Sequence, residues 1–173
     1  MATANLPSRE DFQIGWVCAL PVEAAAAKQM LDEHLELEVD QEASDSNHYT
    51  YGRIGRHIIA ITRLPGRYGI SPATEVATNM ARTFPNLRVI LMVGLGGGIP
   101  SPEHDIRLGD VVIGVPTGRS SGVEQYDLGK HIADGSFQRT GCLNSPPSSI
   151  LGAISEVKER ELVGEQRYTD ILE

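Results

Sequence analysis

The chain is short of what several large protein classes need. Only 2 of its 173 residues are cysteine, too few for a disulfide framework or a four-cysteine zinc site. Basic residues are outnumbered: 15 Lys+Arg against 23 Asp+Glu give a formal charge of −8. That balance argues against a nucleic-acid binder, which needs a basic footprint, and against docking on anionic membranes. No run of about 18 apolar residues occurs, so no transmembrane helix is expected. The polar opening Met1–Asp11 has no apolar h-region, so no secretory signal is expected either. His34, His48, His57, His104 and His131 fall in no HExxH or comparable spacing, so no metal site is expected. A Gly-x-Ser-x-Gly elbow is missing, which leaves a hydrolase triad unsupported. The expectation is a cytoplasmic protein with no cofactor, no metal, no nucleic acid and no membrane.

What is present suits a soluble α/β domain. Hydrophobic residues are 40% and charged residues 22%, a globular balance at about one domain's length. Residues 1–11 read as a flexible leader and 12–173 as the domain. Phe12–Leu20 is a continuous apolar run, predicted as a strand buried on both faces, with Cys18 as a small buried hydrophobe. Pro21 then opens a predicted helix over Val22–His34. His48–Ile54 and His57–Arg63 are predicted as a hairpin around Gly55, at a position needing positive φ. Ser71 and Pro72 are the expected cap and first residue of a helix over Ala73–Thr83. Further strands are predicted at Arg88–Val93, Asp110–Val115 and Val123–Asp127, and a last helix at Ile150–Val163. Alternating strands and helices imply a three-layer sandwich, a central mixed sheet with helices on both faces. Ligands of such sheets bind beyond the carboxyl ends of the strands.

Gly94-Leu95-Gly96-Gly97-Gly98 directly follows a predicted buried strand. Bare backbone there lets a ligand approach, and successive N–H groups can line an anion or hydroxyl site. The loop is not a P-loop, because no Gly-Lys-Ser/Thr follows, and Pro100 and Pro102 forbid the helix of a dinucleotide fingerprint. The alternative is a crowded packing turn. Glu23 falls in the first turn of the first helix, where the macrodipole alone accounts for an acid. Its functional alternative is a base acting on water or a hydroxyl. Arg53, Arg56, Arg63 and Arg67 cluster in an otherwise acidic chain and suit a phosphate-bearing substrate, or else a solvated hairpin face. Arg67 is the strongest of them, because it lies in a loop beside glycines. Tyr126 and Asp127 are either ligand contacts or surface residues.

The strings Ile14–Glu23 (IGWVCALPVE), Val93–Gly98 (VGLGGG) and Leu108–Val112 (LGDVV) resemble, in order and spacing, the nucleoside phosphorylase and nucleosidase superfamily. Leu64–Gly69 (LPGRYG) and Pro100–Val112 (PSPEHDIRLGDVV) make the chain look most like the branch at the N-terminus of fungal NLR-type immune receptors. The resemblance covers about residues 12–170.

This resemblance implies cleavage of the N-glycosidic bond of a purine nucleoside or nucleotide. In hydrolytic members an acid at the position of Glu23 activates water, and the glycine loop (Gly94, Leu95, Gly96, Gly97) lines the nucleophile and ribose site. Arg67 and Arg53 would serve a phosphate tail and Tyr126 a substrate contact. Phosphorylases hold phosphate with an Arg before the loop and a Ser within it. Here Met92 and Leu95 stand at those positions, and neither side chain is a useful donor. Water is therefore expected over phosphate as nucleophile. The resemblance also implies a Met-Glu ribose clamp and a purine-protonating Asp in a second half. Neither motif occurs, and Asp170 stands near the terminus, so the chain looks like an amino-terminal part of the domain. An incomplete sheet would leave a strand edge that favours a homo-oligomer. The alternative to an enzyme is a catalytically incomplete binding or oligomerisation module acting in NLR-type signalling.

Overall fold

The first strand is set by its apolar run. In the computed structural model, which describes residues 6–141 and 143–165, β1 spans Ile14–Cys18 and its last four residues are buried. The chain divides into two compact units, Met1–Ile99 and Pro100–Glu173.

In the first unit, Pro21 opens α1 (Pro21–Gln29). The predicted helix to His34 stops early. The backbone N–H of Asp32 donates to the Arg53 carbonyl at 2.9 Å, and Leu31 turns into the core. The next residues join the sheet as β2 (Glu33–Leu35), a strand the sequence did not announce. The predicted hairpin is β3 (Tyr49–Ile54) and β4 (His57–Arg63), with Gly55 at φ +56° in its turn. Next, α2 covers Ile70–Thr83, and β5 covers Val89–Met92. Ser71 is not the cap: α2 starts two residues before Pro72, which lies in the first turn, where its missing N–H costs nothing. Arg9–Asp11 form one 3-10 turn, where the Asp11 carboxylate accepts from the Ser8 N–H and hydroxyl at 2.8 and 2.9 Å.

The mixed sheet has the order β2-β3-β4-β1-β5. β1 runs parallel to both β4 and β5, while β3 is antiparallel to β2 and β4. Alternation along β1 and β4 feeds two clusters on opposite faces. Val17 and Ala60 join Phe12, Phe84 and the α2 residues Val76 and Met80. Trp16, Cys18, Ile59 and Ile61 join Ala27 of α1. Phe84 is fully buried, 4.7 Å from the Phe12 ring and edge-on to Tyr49 at 5.0 Å. The thiol of Cys18 is buried as expected, and burial raises its pKa.

A polar clasp fastens the segment before β3 to α2. The Asp45 carboxylate accepts from the Tyr49 hydroxyl at 2.7 Å and the Thr83 hydroxyl at 2.6 Å. Asn47 donates to the Tyr49 hydroxyl and to the Val76 carbonyl. This chain of partners lets Asp45, Asn47 and Thr83 be buried.

In the second unit the strand predicted at Asp110–Val115 does not form. That segment is irregular, with Val111 and Val112 exposed. An apolar run makes a strand only where a neighbour completes its ladder, and no partner strand lies alongside it among the described residues. Val123–Asp127 is likewise not a strand. The strands here are β6 (Gly129–His131) and β7 (Phe137–Arg139), paired as a short hairpin. The last helix, α3, spans Ser148–Leu162. Among the described residues, no helix is long and apolar enough to cross a membrane. Cys142 and Asp170 lie outside the described residues.

Candidate functional site

The parallel strands β1, β4 and β5 all end at one edge of the sheet, at Cys18, Arg63 and Met92. Three connections leave that edge: the turn into α1, the loop after β4 and the glycine loop after β5. This is where ligands of open α/β sheets collect.

Glu23 is the third residue of α1, and its carboxylate folds back over the turn. Oε2 accepts from the backbone N–H of Ala19 and of Leu20, each at 2.7 Å. Oε1 accepts from the N–H of Leu95 at 2.8 Å. Glu23 is only 9% exposed. The bonds from Leu20 and Leu95, followed by Ala19, hold its carboxyl below the usual carboxylate range, against a smaller opposing effect of burial. The side chain is thus an anion fastened on both oxygens. It serves as a reaching-back cap for the unpaired amides at the helix start, and as a tie to the glycine loop.

Gly94 explains one glycine of that loop. A methyl group there would lie 2.6 Å from Glu23 Oε1 and 2.9 Å from Cδ, so a side chain would displace the carboxylate. Gly96 and Gly97 face open space, so crowding does not require glycine at either position. Their backbone is accessible, and the Leu95 side chain beside them is 77% exposed. Glu23 and the loop are therefore in direct contact, with no gap the width of a sugar ring between the carboxylate and Leu95.

The other predicted residues are spread out. Arg67 follows β4 and so leaves the same sheet edge as Glu23. It is exposed and pairs loosely with Glu75 at 3.8 Å. Arg53 stands at the opposite edge: it pairs in register with Ile58 near the start of β4. Five residue steps of strand, about 16 Å, separate Ile58 from Arg63, which pairs with Cys18 at the end of β1. Its guanidinium is 3.1 Å from the Glu33 carboxylate. Tyr126 belongs to the second unit and is 82% exposed.

Sequence reasoning missed the amides of Ala19 and Leu20 as partners of Glu23. A signal existed, because an acid at the third helical position following an apolar cap is half of a capping box. The clasp at Asp45 was missed too. Its segment, Ala43–Asn47 (ASDSN), is a polar stretch ahead of the predicted hairpin and carries no motif that points to a buried carboxylate. Among the described residues, no group of three or more His, Cys, Asp and Glu side chains is placed to hold a metal ion.

No protein-family model matches the chain, and no solved structure matches it. It is 48% identical over 158 residues to a protein of Hyaloscypha variabilis named nucleotide-binding leucine-rich repeat (NLR)-like protein. The aligned stretch is 91% of this chain and 16% of that relative, so the chain spans about a sixth of the relative's length. Through most of its length, then, this chain is similar to one segment of a fungal NLR-like protein.

Proposed function

We propose that the chain is a nucleoside-recognising module of an NLR-type signalling protein, built as a three-layer sandwich on a nucleoside phosphorylase-like scaffold. One observation carries the preference for binding over chemistry: both oxygens of Glu23 are held by backbone amides. A general base must be free to take a proton, and an ionised carboxyl with a lowered pKa is a weaker base than an ordinary one. The carboxylate instead sets the shape of the glycine loop, whose open backbone at Gly96 and Gly97 offers donors to a sugar or base. The similarity to an NLR-like protein supports the signalling context.

A second reading has support in the same place. The Leu95 amide is the link that a ligand hydroxyl or water would replace, and its release frees Oε1 of Glu23 beside an accessible loop. On that reading the module hydrolyses the N-glycosidic bond of a purine nucleoside or nucleotide, with Glu23 as base and Arg67 near a phosphate tail.

One experiment separates the readings. The purified chain is incubated with adenosine, inosine and ATP, with calorimetry for binding and chromatography for free base. Saturable binding without base release is the expected result. Base release that disappears in Glu23→Gln establishes the hydrolytic reading instead. Neither binding nor release sinks both. If Arg67→Ala leaves ATP handling unchanged, the phosphate role of Arg67 fails.

A further inference from the structure

The second unit holds a cavity of about 260 Å³, lined by Arg119, Ser120, Glu124, Leu128, Arg139 and Thr140 among others. Its charges do not cancel. Arg139 Nη1 is paired with Glu124 Oε2, which neutralises both. Arg119 makes no ion pair among the described residues, so one guanidinium faces the cavity without a counterion. Hydroxyl donors stand beside it. Ser120 Oγ accepts from the Gly122 N–H at 3.2 Å, which leaves its own O–H to donate. The Thr140 hydroxyl is committed to no side-chain hydrogen bond among the described residues. Leu128, about half exposed, supplies an apolar wall.

An uncompensated guanidinium with hydroxyl donors suits the tetrahedral oxygens of a phosphate, which an arginine fork binds in bidentate fashion. The leucine wall suits the carbon skeleton of what the phosphate is attached to. The volume sets the size: ligand pockets usually run from about 300 to 1,000 Å³, and this one falls just below that range, too small for a dinucleotide.

We propose that this cavity binds the phosphate monoester of a small, sugar-sized molecule, with Arg119 on the phosphate, Ser120 and Thr140 donating to its oxygens, and Leu128 against the carbon skeleton. The site lies in a different unit from Glu23 and does not depend on the nucleoside reading. Either can fail while the other stands.

The test is isothermal titration of the whole chain with ribose 5-phosphate, inorganic phosphate and ribose. The expected result is saturable binding of ribose 5-phosphate, weaker binding of inorganic phosphate and none of ribose. Arg119→Ala should weaken ribose 5-phosphate binding by about tenfold or more, the worth of a charge-assisted bond. Arg119 is exposed, so its loss leaves the fold intact, which circular dichroism checks. Arg139→Ala, which bares the Glu124 carboxylate, should weaken binding as well. No binding of ribose 5-phosphate at millimolar concentration overturns the proposal, as does unchanged affinity in Arg119→Ala. Inorganic phosphate binding as tightly as the ester overturns the ester assignment and leaves a plain anion site.

Discussion

Replacing Glu23 tests whether its carboxylate holds the turn and the loop together. In Glu23→Ala three backbone donors lose their acceptor: Ala19 and Leu20 at the helix start, and Leu95 in the loop. An unsatisfied donor costs about 1–3 kcal/mol when buried and less when water reaches it. The Leu95 loop is open to water, and the other two amides are half-buried, so the sum is about 2–4 kcal/mol. In Glu23→Gln one carbonyl oxygen remains for Ala19 and Leu20. The new amide then meets the Leu95 N–H donor to donor, and the cost falls to about 1–2 kcal/mol. The sole tryptophan, Trp16, is buried in β1 of the same unit, so its fluorescence follows urea unfolding there. The midpoint should drop in the order parent, Gln, Ala, with the slope unchanged. Acid adds an independent reading. Because the native carboxyl is held below its ordinary value of 4.5, the unfolded chain takes up the proton first. The stabilisation is therefore complete above about pH 4.5 and is lost as pH falls toward the native pKa. The Gln variant should lack that part of the acid loss. Glu23→Ala within about 0.5 kcal/mol of the parent would refute the tie, since that is the ordinary range for a surface change.

Other expectations rest on separate contacts. Gly94→Ala should destabilise by about 1–3 kcal/mol, because its methyl displaces the Glu23 carboxylate; hydrogen exchange at the Leu95 amide should speed up in the same variant. Phe84→Ala should cost about 3–5 kcal/mol in urea unfolding, since a fully buried ring is removed from between Phe12 and Tyr49. Asp45→Ala should cost about 2–4 kcal/mol, as the Thr83 and Tyr49 hydroxyls lose their shared acceptor. Burial pushes the Tyr51 phenol up to about 12. The unfolded chain therefore loses that proton near pH 10 while the native state keeps it, and stability falls as pH rises above about 10. Phenolate absorbance from Tyr51 appearing near pH 10 in the folded protein would contradict this.

Much of the first unit was legible because local rules and burial agreed there. The apolar run at β1, the proline opening α1 and Gly55 in the hairpin each had one physical solution. The reading went astray where a tertiary contact decided. The predicted helix runs to His34, but a sheet bond at Asp32 ends α1 first. Asp110–Val115 has the composition of a buried strand, yet composition cannot supply a ladder partner. At the site, Glu23 and Gly94 were legible as types at a sheet edge. That they touch, with Leu95 closing the carboxylate, depends on a bond across 72 residues of sequence. Arg53 shows the converse: its nearness to Arg67 in sequence hides a strand's length between their ends of the sheet.

The strand order also sets a timetable for synthesis. β1 emerges first, yet it lies between β4 and β5, so one of its edges stays bare until Arg63 and the other until Met92 has been added. At roughly 5–20 residues per second, that wait is on the order of 4–15 seconds. For that interval a sticky ribbon hangs from the ribosome with no permanent neighbour on its second side. A nascent chain arranged this way invites chaperone attendance early, and crowded polysomes are where its yield would be decided.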